Sequence, residues 1–116
     1  MHETAGSIPA GNASQRRNAE VFSFLESLIE KRQQEIADIE EMVERYERRI
    51  RKEEQAYRTM SPIRRMLAGK KPDHHVAVEY IHYVKKPMEK ARLLREEIRR
   101  YREMLEGKMP IEISDL

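Results

Sequence analysis

The chain has 116 residues, 38% of them charged and 39% hydrophobic, with two Phe, five Tyr, no Trp and no Cys. That length suits one domain, so small an apolar fraction excludes a thick globular core, and the lack of Cys excludes disulfide and thiolate chemistry. The net charge of +2 is small but unevenly spread, with −2 on residues 1–60, +5 on residues 61–92 and −1 on residues 93–116, which confines any attraction for polyanions to the middle of the chain.

Residues 1–13, MHETAGSIPAGNA, mix Gly, Pro, Ser and Ala without period and predict a disordered lead. They lack the basic start and apolar run of a secretory signal. No apolar run in the chain approaches the roughly 20 residues of a membrane span. The expectation is a cytoplasmic protein with no membrane span.

Ser14 and Asn18 are both acceptable N-caps, and the long stretch that follows predicts a helix over residues 18–60. Phe22, Ile29, Ile36, Val43, Ile50 and Tyr57 recur every seven residues, each followed three places on by Leu25, Arg32, Ile39, Tyr46, Glu53 and Met60. Arg32 and Glu53 alone interrupt this apolar series, which describes a seam that meets other helices. The opposite face carries Glu41 with Arg45, Glu44 with Arg48, Glu47 with Arg51 and Glu54 with Arg58, acid first and four apart. Each such pair supports a solvated helix by about 0.2 to 0.5 kcal/mol.

Pro62 ends that helix. Ser61 as N-cap and Pro62 at the first position then start a short helix over residues 62–68, which Gly69 closes. Ile63, Met66 and Leu67 share one face of it, with Arg64 and Arg65 alongside. After Lys70, Lys71 and Pro72, Asp73 is a candidate N-cap for a second long helix over residues 74–106. Its seam is Ala77, Val84, Ala91, Ile98 and Leu105, accompanied by Tyr80, Leu94 and Tyr101. Pro87 falls in the accompanying series and predicts a kink near Tyr83–Pro87. Gly107 and Pro110 terminate the helix, leaving residues 108–116 as a tail.

Two long helices joined by a short connector predict an all-α, coiled-coil-like antiparallel hairpin over residues 14–107, with the short helix at its tip. The expected register opposes Ile50 to Lys86, Val43 to Leu93 and Ile36 to Arg100. Helix two then ends near Ile29, leaving Val21, Phe22, Phe24 and Leu25 overhanging, while Leu28 and Met42 flank the seam. Together with Ile36 these residues predict a protein interface, closed by a second copy as a four-helix bundle or by a helix of another protein.

Three constellations bear on chemistry. Glu79 and His82 spell Glu-x-x-His, with His75 four residues before Glu79, a spacing that suits a metal-binding bundle. A seam of Ala77, Tyr80 and Val84 turns these side chains to solvent, and no second such motif occurs, so no metal ligand or cofactor is assigned. Arg64, Arg65, Lys70, Lys71, Lys85 and Lys86 form a basic tip that would neutralise phosphates of a nucleic acid or another polyanion. Ile111 and Ile113 of the tail suit a docking peptide or a fold-back onto the overhang. No catalytic triad or phosphate-binding loop occurs, so the expectation is a non-enzymatic interaction module. Binding to itself or to another protein is the first reading, polyanion binding the second and metal binding the third.

Overall fold

The structure is a computed structural model that describes the backbone of residues 4–111 and the side chains of residues 16–111. Among the described residues every regular element is helical: α1 (Thr4–Thr59), α2 (Pro62–Ala68), α3 (Asp73–Tyr80), a π-helical turn (Ile81–Lys85) and α4 (Lys86–Leu105). The long first helix begins at Thr4, fourteen residues before the expected start at residue 18 and inside the stretch whose composition predicts disorder. Adding a residue to an existing helix gains a backbone bond without a new nucleus, and Ala5, Ala10 and Ala13 have the highest helix propensity. Residues 1–3 of the expected lead and residues 112–116 of the tail, Ile113 among them, lie outside the described residues.

Local chemistry sets the interruptions. Ser61 adopts an extended backbone (φ −62°, ψ 157°), its hydroxyl accepts from the Arg64 N–H at 3.3 Å, and Pro62 opens α2 with its fixed φ. Gly69, at φ 71°, reverses the chain while its N–H donates to the Arg65 carbonyl. Pro72, not Asp73, occupies the N-cap of α3; Asp73 is the first helical residue and places its carboxylate in the positive first turn. α4 ends in a Schellman motif: Gly107, at φ 75°, donates to the Met104 carbonyl and Lys108 to that of Glu103.

No loop separates α3 from α4, since Tyr80, Ile81 and Lys86 all keep right-handed helical torsions. The Lys86 N–H reaches back five residues to the Ile81 carbonyl. Pro87 explains the wider turn, because its ring would collide with the Tyr83 carbonyl in an α-helix and it has no N–H to give that carbonyl. A π turn holds about one residue more than an α turn, so the side chains before it change faces relative to an uninterrupted helix.

The chain forms two compact units, Met1–Gln33 with Arg95–Leu116, and Gln34–Leu94. In the first, Leu25 and Ile29 of α1 and Ile98, Tyr101 and Met104 of α4 are buried, and Arg32 Nε donates to Glu97 Oε2 at 3.0 Å. In the second, Ile36, Val43, Val84, Ala91 and Leu94 are buried, and the Tyr46 ring lies on that of Tyr83. The expected register would oppose Tyr46 to Lys90; the observed partner is Tyr83, a displacement of one seven-residue repeat. A heptad seam offers nearly the same apolar pairing at each such displacement, so specific side chains must choose among them.

Candidate functional site

In the second unit a polar cluster holds the end of the connector, at Lys71, between α1 and α3. Tyr46 Oη donates to Glu79 Oε2 at 3.2 Å, and Lys71 Nζ donates to Glu79 Oε1 at 3.1 Å and to Oε2 at 3.2 Å. Lys71 also lies 4.0 Å from the Glu53 carboxylate. The Tyr46 and Tyr83 rings stack with centroids 4.8 Å apart, and the Arg49 guanidinium sits 5.2 Å from the Tyr46 ring centroid. The hydrogen bond from Lys71, reinforced by its charge, holds the Glu79 carboxyl below its usual value, and that same bond holds Lys71 above its own. Partial burial raises the Tyr46 hydroxyl, and the negative Glu79 beside it raises it further. Every charge here has an opposite, so the cluster fastens the connector to α1 and presents no free acid, base or nucleophile.

This geometry corrects the expected seam of the second helix. Ala77 and Tyr80 are exposed, while Glu79 and Tyr83 face Tyr46, because the π turn shifts which residues before it meet α1. Glu79 is therefore turned inward, toward Tyr46 and Lys71. The His75 ring packs edge-on against His74, and the His82 ring against Tyr83. Among the described residues no group of three or more His, Asp or Glu side chains is gathered where it could hold a metal ion.

The second feature is α2 itself. Ile63, Met66 and Leu67 are 72%, 84% and 83% exposed, and no residue of this helix is buried. Arg65 reaches back to the end of α1, where its Nε donates to the Met60 carbonyl at 3.0 Å and Nη2 to the Arg58 carbonyl at 3.1 Å. Those carbonyls lack helical partners, and a cation at a helix C-terminus also suits the helix dipole. At about 100° per residue, the centre of the Ile63, Met66 and Leu67 face lies roughly 150° around α2 from Arg65. Fastening Arg65 to α1 therefore directs the apolar face away from it.

The expected polyanion site is thus divided. Arg65 and Lys71 are engaged within the protein, whereas Arg64, Lys70, Lys85 and Lys86 are exposed. The expected protein interface is divided too. Leu25 and Ile36 belong to buried seams, Val21 and Leu28 are half-buried, and Phe22, Phe24 and Met42 are exposed. Leu25 does not overhang, because displacement by one repeat brings the last turns of α4 alongside this part of α1 in the first unit. Sequence reasoning gives the outward face of α2 no role, although Ile63, Met66 and Leu67 share it. Its signal is apolar residues at i, i+3 and i+4 in a helix too short and too isolated to bury them. No membrane-crossing helix, long and apolar enough, occurs among the described residues. Comparisons with protein-family models, with curated proteins and with solved structures give no match.

Proposed function

We propose that the chain is an antiparallel helical hairpin acting as a non-enzymatic interaction module, and that it associates with a second copy as a four-helix bundle. The observation that supports this is the apolar surface left over once the seams are buried: Phe22 and Phe24 in the first unit, Met42, Met88 and Leu93 in the second, all exposed. Side chains of this size on helical surfaces are the usual material of helix-to-helix interfaces. Leu25 and Ile36 take no part, since each is buried within its own unit. A cytoplasmic setting is the default for such a module.

Sedimentation equilibrium tests the reading. The chain should sediment at twice the protomer mass, and Phe22→Ala with Phe24→Ala, or Met42→Glu, should shift it to the protomer mass while the helical circular dichroism signal is kept. A chain that is monomeric at high concentration, or a dimer indifferent to all three substitutions, would rule out self-association through these faces. The polyanion reading retains Arg64, Lys70, Lys85 and Lys86, whose exposed cations favour it. Salt-sensitive capture of a nucleic-acid duplex, lost when those four become Ala, would support it.

A further inference from the structure

We infer that α2 is a docking element for an anionic lipid surface, with Ile63, Met66 and Leu67 entering the headgroup boundary and Arg64 and Lys70 meeting the lipid phosphates. The three apolar side chains are among the most exposed in the protein and contribute nothing to its core. They share one face, which the bonds from Arg65 to the end of α1 direct outward. From Thr59 to Pro72 the chain carries four cations and no carboxylate. Of these, Arg65 and Lys71 are engaged, which leaves Arg64 within α2 and Lys70 just beyond it to act outward.

Charge complementarity selects the lipid surface as occupant. A nucleic acid would meet the cations but leave the apolar face in water, whereas an anionic bilayer satisfies both, apolar side chains in the acyl boundary and basic ones at the headgroups. Binding of this kind is peripheral and reversible, as suits an element of only seven residues.

The full chain should co-sediment with vesicles of phosphatidylcholine and phosphatidylserine, and not with phosphatidylcholine alone. Raising the salt should weaken binding. Ile63→Ser with Met66→Ser and Leu67→Ser should weaken it by at least about tenfold, and Arg64→Gln with Lys70→Gln should do so by about tenfold. Because the chain has no Trp, Leu67→Trp supplies a single reporter whose emission should shift to the blue on binding and be quenched by brominated acyl chains. Circular dichroism checks that each variant stays helical, and the exposure of all five positions predicts that it does. Absence of binding at low salt would overturn the inference. So would binding that survives the triple Ser substitution, which would reveal a simple polycation, or capture of duplex DNA as tight as that of the vesicles. A dimer that the triple substitution converts to monomer would assign the α2 face to a second copy instead. Dimer loss on changing Phe22 and Phe24 tests the proposed function separately and leaves vesicle binding in place.

Discussion

Tyr46 and Tyr83 lie face to face, their ring centroids 4.8 Å apart and their planes inclined by 14°, while the Tyr46 hydroxyl donates to Glu79 one turn away. One side chain thus joins α1 to the π turn by stacking and to α3 by a hydrogen bond. Tyr46→Phe should keep the stack and lose only the bond, at a cost of about 0.5 to 1.5 kcal/mol. Tyr83→Ala should remove the stack at a cost of about 0.5 to 1.5 kcal/mol beyond the lost area. A double-mutant cycle with Tyr46→Ala, followed by urea unfolding, should give a coupling energy of that size. Additive effects would mean that the two rings touch without mutual support.

The bond between Glu79 and Lys71 has a definite pH signature. The lowered Glu79 value means that its contribution is complete above its usual value of 4.5 and declines as pH falls toward and through the depressed folded value. Lys71, whose value is raised, contributes fully below 10.5 and loses its contribution as pH rises through the higher folded value. Glu89 is also held low, by Arg92, so the acid limb of the whole protein is a sum. The difference between the wild type and Glu79→Gln isolates one member: their stabilities should converge as pH drops below 4.5. A stability gap that stays constant through the acid range would show that the charge of Glu79 is immaterial.

Arg32 and Glu97 join α1 to α4 in the first unit through their 3.0 Å bond, with both side chains about a third exposed or less. The register one repeat away would set Arg32 against Met104 and separate it from Glu97. Arg32→Glu should therefore destabilise the chain by about 1 kcal/mol or somewhat more, since it also places two carboxylates together. Adding Glu97→Arg should restore much of the loss in thermal or urea unfolding. If the exchanged pair is no more stable than the single variant, the ion pair does not select the register.

These contacts show which parts of the fold were legible. Ser61, Pro62, Gly69 and Gly107 act through bonds spanning a few residues, so their order along the chain is enough to assign their roles. The all-helical class follows from the apolar period in the same way. Register was not legible, because a seven-residue repeat fits itself again after every seven residues, and the deciding pairs join residues far apart in sequence. Arg32, an interruption in the apolar series, carried the missing information, since a half-buried guanidinium needs an acid opposite it. The inward turn of Glu79 was hidden for another reason: Pro87 marks a disturbed turn but does not say that the helix absorbs it by widening. The face of α2 was visible as a pattern, and its exposure depends on the bonds of Arg65 to α1, which no local pattern encodes.

Pro87 gives the last prediction. Its ring and missing N–H account for the π turn at Ile81–Lys85, and that turn in turn places Glu79 and Tyr83 against Tyr46. Pro87→Ala removes the steric cause and supplies an N–H for the Tyr83 carbonyl, which lifts an interior-proline cost of about 3 kcal/mol. An α turn in place of the π turn would rotate α3 by roughly 100° relative to α4 and carry Glu79 and Tyr83 away from Tyr46. The two tendencies oppose each other. The proline cost of about 3 kcal/mol stands at the top of the approximately 1 to 3 kcal/mol available from one stack and one hydrogen bond, so over most of that range the α turn should win. Cross-peaks between the Tyr46 and Tyr83 rings in nuclear Overhauser spectra should vanish in Pro87→Ala, and the Glu79 carboxyl should return toward its usual titration. Ring contacts that persist would show that the Tyr46 cluster, and not the proline, holds the wide turn open. In that case Tyr46→Ala, with Pro87 already replaced, should let the turn close.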